Sequence, residues 1–223
     1  MNASSFAKFV FHTIQRIGVV NRFLRTRNRL LAIMLGVRSI SIGPASMLLG
    51  LSHISVGENF WAYKELWLEA ITDFKGDRFS PQILIGDNVS VSCWSHIAAV
   101  DRVEIGAGTL IGSKVIITDH NHGSYGPDTH SSPHVPPDQR PLAGRPVFIG
   151  KNVWIGDGVV VTPGAHIGEG CIIGANAVVT GWIPDFTIAV GIPAKPIKTF
   201  DFNKSEWVPL SKAVESQETS VST

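Results

Sequence analysis

The chain has 223 residues, of which 44% are hydrophobic and 17% are charged, and this length favours one domain with short appendages. A formal net charge of +1 at pH 7 argues against a nucleic-acid partner. Two cysteines are too few for a disulfide framework or a cysteine-ligated zinc site. We therefore expect a protein of a reducing compartment that needs no metal.

The N-terminal segment, residues 1–38, is predicted to form one or two amphipathic helices, because apolar residues recur at helical spacing between arginines. Residues 1–57 contain Lys and Arg but no Asp or Glu. Two interpretations stay open. The segment caps the following domain and leaves a solvated basic face, or it contacts anionic lipid or a lipid-linked acceptor.

The location follows from what this end of the chain lacks. No apolar run reaches the roughly 20 residues of a membrane helix. The first residues also lack the apolar core and cleavage site of a signal peptide. We expect a cytoplasmic protein, with peripheral contact at the inner face of the membrane as a hypothesis for residues 1–38.

A six-residue repeat fills the domain predicted over residues 39–198. An aliphatic residue recurs every six positions, and a smaller residue stands two positions before it. The clearest pairs are Ile83/Ile85, Val89/Val91, Ser95/Ile97, Val103/Ile105, Thr109/Ile111, Val115/Ile117, Val147/Ile149, Val153/Ile155, Val159/Val161, Ala165/Ile167, Cys171/Ile173 and Ala177/Val179. Less regular pairs, Ile40/Ile42 and Ile54/Val56, precede them.

Period six fits neither an α-helix nor an ordinary hairpin meander. It fits a short strand with two inward side chains followed by a tight corner that Gly, Asn or Asp can form. Three such units close a triangular coil, and coils stack about 4.8 Å apart. The pattern predicts an all-β fold, a left-handed parallel β-helix, in which Cys171 packs in the core. The alternative, a β-sandwich, would need turn signals every 8–12 residues.

Residues 118–146 interrupt the repeat and contain four of the eight histidines: His120, His122, His130 and His134. A long, structureless insertion in a regular scaffold is usually functional. After the repeat, residues 199–223 are predicted to be a C-terminal tail. Its last part, residues 211–223, is rich in Ser, Glu and Thr and is expected to be disordered.

The chain resembles the hexapeptide-repeat acetyltransferases, in particular the maltose and galactoside O-acetyltransferase group, over roughly residues 80–200. Its insertion looks closer to the bacterial lipopolysaccharide O-acetyltransferases. The motifs that carry the resemblance are Pro-Val-Phe-Ile-Gly at 146–150, Val-Trp-Ile-Gly at 153–156, Gly-Ala-Asn-Ala-Val-Val at 174–179, Gly-Ile-Pro-Ala-Lys at 191–195 and Asp-His-Asn-His-Gly at 119–123.

The resemblance implies direct transfer of an acetyl group from acetyl-CoA to a sugar hydroxyl of a surface polysaccharide or its precursor, such as lipopolysaccharide O-antigen or capsule. It also implies a homotrimer with sites between subunits. A histidine would be the general base, since its unperturbed pKa is about 6.5. Counting from Ile117 as in the family makes His122 the first candidate and His120 the second. Asp119 could orient either ring, contact the acceptor or cap a turn.

The resemblance also assigns ligand contacts. Trp94 stands where maltose-type enzymes carry Asn, so the acceptor is expected to differ, and His96 is expected to shape the acceptor pocket. The residues assigned to CoA are Trp154, Gly156, Asp157, Ala175, Thr180, Lys195 and Lys198. For Lys195 and Lys198, a solvated basic turn is the alternative.

Three other functions stay open from the sequence. One is N-acetylation of an amino-sugar nucleotide or a small amine, which needs the same base. Another is a γ-type carbonic anhydrase, in which His96, His120 and His122 would supply zinc ligands from two subunits. The last is a solenoid scaffold without catalysis.

Overall fold

The structure, a computed structural model, describes residues 20–210, so predictions for residues 1–19 and 211–223 lie outside it. Its elements are one helix, α1 (20–35), and strands that alternate around a prism. The strands are β1 (Ile40–Ile42), β2 (Met47–Leu49), β3 (Ile54–Val56), β4 (Phe60–Ala62), β5 (Trp67–Ala70), β6 (Asp73–Phe74), β7 (Asp77–Arg78), β8 (Gln82–Ile85), β9 (Ser90–Val91), β10 (His96–Ala99), β11 (Arg102–Ile105), β12 (Leu110–Ile111), β13 (Ile116–Thr118), β14 (His120–His122), β15 (Leu142–Gly144), β16 (Val147–Ile149), β17 (Trp154–Ile155), β18 (Val160–Val161), β19 (His166–Ile167), β20 (Ile172–Ile173), β21 (Val178–Val179), β22 (Trp182–Ile183), β23 (Thr187–Val190), β24 (Lys195–Asp201) and β25 (Glu206–Pro209). Short 3-10 helices cover Leu51–His53 and Pro137–Gln139.

Three sheets form the sides of the prism, and within the coils all their strand pairs are parallel. Sheet A is ordered β1-β4-β9-β12-β17-β20-β23-β24-β25, sheet B β2-β5-β10-β13-β18-β21 and sheet C β3-β8-β11-β16-β19-β22. The chain visits C, A and B in turn, so each coil contributes one strand to each side. This confirms the predicted left-handed parallel β-helix.

The predicted inward pairs form the core. Ile111, Val115 and Ile117 are fully buried in one coil. Each buried aliphatic side chain contributes about 1.5–3 kcal/mol relative to exposure. Cys171 is also fully buried, and its thiol donates to the carbonyl of Pro184 at 2.9 Å. Burial also raises the pKa of the Cys171 thiol. The full burial of the side chain confirms the predicted packing role.

The corners explain the small residues of the repeat. Asn88, Asn152 and Asn176 adopt left-handed conformations with φ of 56°, 54° and 59°, which Asn tolerates better than most residues. Gly156 is needed for a different reason. A Cβ atom there would lie 2.7 Å from the backbone nitrogen of Ala175 in the next coil, so stacking of the coils excludes a side chain.

Helix α1 closes the N-terminal end of the prism. Its inner face packs on the first coil, where Asn28 Nδ2 donates to the carbonyl of Ile42 at 3.2 Å. Arg27 donates to the carbonyls of Ile42 and Gly43. The helix ends at Gly36, which has a φ of 70°, and the N–H of the next residue, Val37, bonds back to Ala32. A solenoid needs such a cap because its first coil has no neighbour.

The C-terminal end is closed by antiparallel strands. β23 pairs with β24, and β24 with β25, so sheet A extends past the last coil. The boundary predicted between 198 and 199 falls inside β24, and residues 199–209 are structured rather than a tail. The aromatic side chains of Phe186, Phe200 and Trp207 pack along this hairpin.

Two insertions leave the prism at the corner between sheets B and C. Residues 118–146 are not structureless, because β14 and β15 pair antiparallel inside them. A second insertion, residues 71–81, forms the β6–β7 hairpin. An ion pair between Lys75 and Asp138, 2.9 Å apart, joins the two insertions. Within residues 20–210 no helix has the length and apolarity to cross a membrane.

Candidate active site

Asp119 and His120 form a hydrogen-bonded pair where β13 leaves the prism. The Asp119 carboxylate is fully buried and accepts the N–H groups of Val100 at 2.9 Å and Asp101 at 2.7 Å. Its Oδ1 lies 2.9 Å from Nδ1 of His120. An ionised carboxylate only accepts, so Nδ1 carries the proton. Nε2 is then left with a lone pair, the arrangement that a general base requires.

The surroundings of Asp119 bear on its three predicted roles. Its oxygens serve the backbone of the preceding corner and the imidazole of His120, and none of its surface is exposed. A sugar acceptor could not reach a carboxylate that is fully buried within the chain, so the expected contact between Asp119 and the acceptor sugar is not supported. Asp119 instead fixes the imidazole to a corner of the scaffold. The His120 side chain keeps 12% exposure.

His122, the first candidate from the sequence, has different neighbours. It is exposed, and its ring meets the ring of Phe74 edge-on at 5.3 Å between centroids. Its carbonyl accepts the hydroxyl of Tyr125 at 2.6 Å. Within residues 20–210 no carboxylate pairs with it. His120 and His122 share strand β14, so alternation directs both side chains to one face.

His96 lies on the outer face of sheet B, as expected. Its ring stacks on Trp67 with centroids 4.0 Å apart and planes 14° apart. Nε2 is buried and has no hydrogen-bond partner among the described residues. Burial lowers the pKa of His96, and the charge of His120 lowers it further. His96 is therefore an electrostatic neighbour of the pair.

Trp94 does not join this group within one chain. It stands at the corner between sheets A and B, with a φ of 56° and 49% exposure. The Lys64 ammonium lies 4.7 Å from its ring centroid and the Lys114 ammonium 5.8 Å. Strand β10 separates Trp94 from the corner that holds Asp119.

The residues assigned to CoA divide between two sides of the prism. Trp154 is 53% exposed on sheet A, and its row continues through Ile172 and Ile188 to Lys198. Lys195 is exposed on the same strand as Lys198. An outward row of side chains that begins at Trp154 and ends at the Lys198 ammonium suits an extended ligand that bears phosphate groups.

Gly156, Asp157 and Ala175 lie at the A–B corner. Asp157 Oδ1 accepts the N–H of Ser113 at 2.6 Å, so its carboxylate holds the corner together. Ala175 is exposed beside it. Thr180 lies elsewhere: it follows β21 and occupies the B–C corner, the same corner as Asp119. One chain therefore places Trp154 and His120 on different sides.

Within residues 20–210, His, Cys, Asp and Glu side chains form no group of three that could hold a metal ion. The zinc ligands considered from the sequence, His96, His120 and His122, would come from two subunits, so the structure of a single chain does not test that hypothesis.

Comparison with known proteins identifies the family. A sequence model for bacterial transferase hexapeptide repeats, six in number, matches residues 146–181. Over 155 residues the chain is 46% identical to WbbJ of Escherichia coli, which is assigned as a lipopolysaccharide biosynthesis O-acetyl transferase. The match covers 69% of this chain and 76% of WbbJ. This chain belongs to the hexapeptide-repeat acetyltransferases. It is an acyltransferase, and the predicted resemblance is confirmed.

Solved structures agree on the architecture of this acetyltransferase. A maltose O-acetyltransferase from Clostridium difficile is 29% identical with a TM-score of 0.50, covering 79% of this chain and 76% of its own. AntD, an N-acyltransferase from Bacillus cereus in complex with dTDP and 3-hydroxybutyryl-CoA, has a TM-score of 0.60 over 84% of this chain and 90% of its own. At 18% identity, AntD shows the fold alone.

Sequence reasoning missed several residues around the acetyltransferase's histidines. Phe74 and Lys75 arrive from the β6–β7 hairpin, whose Lys75–Gly76 turn has φ of 50° and 94°. The sequence did contain a signal for this hairpin: the pair Lys75-Gly76 stands between Asp-Phe at 73–74 and Asp-Arg at 77–78, and a Gly in such a pair favours a two-residue turn. The insertion also encloses a cavity of about 300 Å³ lined by Asn121, Tyr125 and Arg145. It lies on the opposite face of β14 from the histidines, because Asn121 alternates with them.

Proposed function

We propose that this acetyltransferase moves the acetyl group of acetyl-CoA directly to a sugar hydroxyl of a surface polysaccharide or its precursor, with His120 as general base and Asp119 as its positioning residue. The observation that carries the proposal is the buried Asp119 carboxylate holding Nδ1 of His120. The assignment of WbbJ to lipopolysaccharide biosynthesis supports the acceptor class, such as O-antigen or capsule.

The proposed reaction needs one proton shuttle. Nε2 of His120 takes the proton of the sugar hydroxyl while its oxygen attacks the thioester carbonyl, forming a tetrahedral oxyanion. The oxyanion collapses, the carbon–sulfur bond breaks, and the CoA thiolate takes the proton from the imidazolium. The acetyl ester and free CoA leave. Asp119 favours the imidazolium electrostatically and keeps Nδ1 protonated throughout.

His120 is preferred to His122 because its ring has one fixed orientation. Two interactions hold Nδ1 of His120: the carboxylate at 2.9 Å and the hydroxyl of Thr118 at 3.2 Å. The ring of His122 has an aromatic contact with Phe74 and no carboxylate. We assign His122 and His96 to the acceptor side of the same site.

The division of assigned residues supports a site between subunits. Trp154, Ala175 and Lys198 would hold CoA on sheet A and the A–B corner of one subunit, while the neighbour supplies His120 from its B–C corner. Gly156, Asp157, Thr180 and Lys195 are further proposed contacts, and Trp94 could then approach an acceptor. A cyclic trimer closes such a head-to-tail arrangement. Free Cys93 and Cys171 support a reducing, cytoplasmic location.

The test follows the release of free CoA thiol from acetyl-CoA in the presence of O-antigen or capsule sugars and of small amines. We expect His120→Ala to lower kcat by about 10²–10⁴-fold. His122→Ala should change mainly the KM for the acceptor. His166→Ala, an exposed histidine on sheet C, is the matched control. Asp119→Asn retains an acceptor for the backbone and should also lower kcat.

Two outcomes contradict the proposal. Full activity of His120→Ala would remove His120 as the base, and an inactive His122→Ala beside it would pass the role to His122. Turnover on amino-sugar nucleotides or small amines, without turnover on any hydroxyl acceptor, would replace O-acetylation by N-acetylation.

A further inference from the structure

Helix α1 has two apolar faces, and the prism covers one of them. The inner face packs on the core through Leu31, Ala32 and Leu35. The other face is exposed. Its members are Phe23 at 67% exposure, Leu30 at 57%, Ile33 at 72% and Met34 at 67%. A cap requires the inner face alone, so capping does not explain the outer one.

Arginines border this outer face. Phe23, Leu30 and Met34 fall on one line along the helix, because residues seven and eleven apart nearly align at 3.6 residues per turn. At about 100° per residue, Arg22 and Arg29 lie roughly 100–120° around the helix from Phe23, on the far side of Ile33, and Arg25 lies further round, toward the first coil. The nearest acidic residue in sequence, Glu58, pairs with Arg38 at 3.3 Å. Within residues 20–210, Arg25 and Arg29 form no ion pair.

A groove runs beside the arginines, between α1 and the first coil. It has a volume of about 570 Å³ and includes Arg25, Arg29, Arg38 and Ile33 in its lining. The groove thus combines guanidinium groups with an apolar wall. Guanidinium groups bind phosphate oxygens with two parallel hydrogen bonds. The size and the charge of the groove suit a phosphate headgroup whose acyl chains follow the apolar face.

We propose that α1 docks this protein on an anionic phospholipid surface, with the outer apolar face in the acyl boundary and the arginine row on headgroup phosphates. An interfacial helix has this composition: bulky apolar residues on one side, Arg beside them and no acidic residue. A second copy of the chain is the less suitable occupant. In an antiparallel two-fold pair of helices, the arginine rows of the two copies would lie on the same side of the contact and repel each other. The proposal is independent of which histidine is the base.

The test is flotation of the full chain with vesicles of phosphatidylcholine alone or of phosphatidylcholine mixed with phosphatidylglycerol. We expect binding to the mixed vesicles that weakens as chloride rises, since the arginine contribution is screened. Combined Phe23→Ser, Leu30→Ser and Met34→Ser, or combined Arg22→Gln, Arg25→Gln and Arg29→Gln, should each lower affinity by at least about tenfold. Leu110→Ser and Lys151→Gln change exposed residues elsewhere and serve as matched controls.

Thermal unfolding and circular dichroism of each variant separate lost docking from lost folding, because every substituted side chain is exposed. Equal binding to both kinds of vesicle, or none to either, overturns the proposal. So does an apolar-face variant that keeps vesicle binding but changes the molecular mass of the assembly, which would make the face a contact between copies. Loss of vesicle binding in inorganic phosphate, but not in chloride of equal ionic strength, would show a free-anion site and also overturn it.

Discussion

At the scale of single residues, the orientation of His120 depends on a corner of the preceding coil. The N–H groups of Val100 and Asp101 point at the Asp119 carboxylate, which lies one coil later in the stack. Those bonds compensate the burial of a charge, which is otherwise costly. The same carboxylate then has an oxygen for Nδ1 of His120. The scaffold therefore sets both the tautomer and the direction of the ring.

His96 predicts how stability depends on pH. Burial and the charge of His120 lower its pKa below the ordinary 6.5, so the unfolded chain binds the proton more readily than the folded chain. The contribution of His96 to the free energy of unfolding is fully present above about pH 6.5, and it is lost as the pH falls toward the lowered pKa. We expect the melting temperature to fall less between about pH 7 and pH 5 in His96→Gln than in the wild type. Groups near His96 are Trp67 and His120.

The control for this measurement is His166→Gln, which removes an exposed histidine from sheet C. Its pH dependence should follow the wild type. Parallel curves for His96→Gln and the wild type would contradict the assignment of this acid sensitivity to His96.

At the scale of elements, the B–C corner is where the acetyltransferase departs from a plain solenoid. The hairpin of residues 71–81 and the insertion of residues 118–146 leave at this corner, two coils apart. They meet through Phe74 with His122 and through Lys75 with Asp138. The ion pair is exposed, so water and salt screen it. One aromatic contact and one ion pair thus join the two insertions.

The corner glycines make a prediction about the coils themselves. Gly156→Ala would place a Cβ atom 2.7 Å from the backbone nitrogen of Ala175, and backbone cannot move aside without opening the stack. We expect a loss of about 1–3 kcal/mol in the free energy of unfolding, measured by urea titration. Gly181→Ala is the matched control because its Cβ meets nothing within 4 Å. Equal stability of the two variants would contradict the packing argument.

At the scale of the whole molecule, a prism exposes three sides, and the assigned residues occupy two of them. Trp154 lies on sheet A, and His120 lies at the B–C corner beyond sheet B. The B–C corner is opposite sheet A, so a ligand that touches both residues within one chain would have to pass over the whole of sheet B or sheet C. The proposed ring of subunits would remove the difficulty by bringing sheet A of one chain to the B–C corner of the next.

Mixing two inactive variants tests this arrangement. His120→Ala and Trp154→Ala each damage every site in a pure assembly. In mixed assemblies formed by joint refolding, some sites combine an intact His120 with an intact Trp154 from the neighbour. For random head-to-tail trimers of equal parts, about one quarter of sites are intact. No recovery of activity, with mixing shown by a tag on one variant, would place both residues in the same subunit.

The sequence by itself determined the scaffold, because every coil repeats the same local rule: two inward side chains, a corner and a step of six. The inward pairs from Ile83/Ile85 to Ala177/Val179 and the core position of Cys171 follow from that rule. The same regularity marks residues 118–146 as the interruption of the repeat, and for that reason the sequence predicts the active site there.

Only the tertiary structure supplies the contacts on which the proposed site rests. The proposed choice of His120 over His122 rests on the N–H groups of Val100 and Asp101, which lie 19 and 18 positions before Asp119 and meet it only through stacking. The contact of Phe74 with His122 likewise joins segments that are distant in sequence. Strand β24 continues past the predicted boundary at 198 because it pairs with the free edge of β23. Contacts between coils depend on backbone stacking and on insertions that follow no period, so no repeat along the chain encodes them.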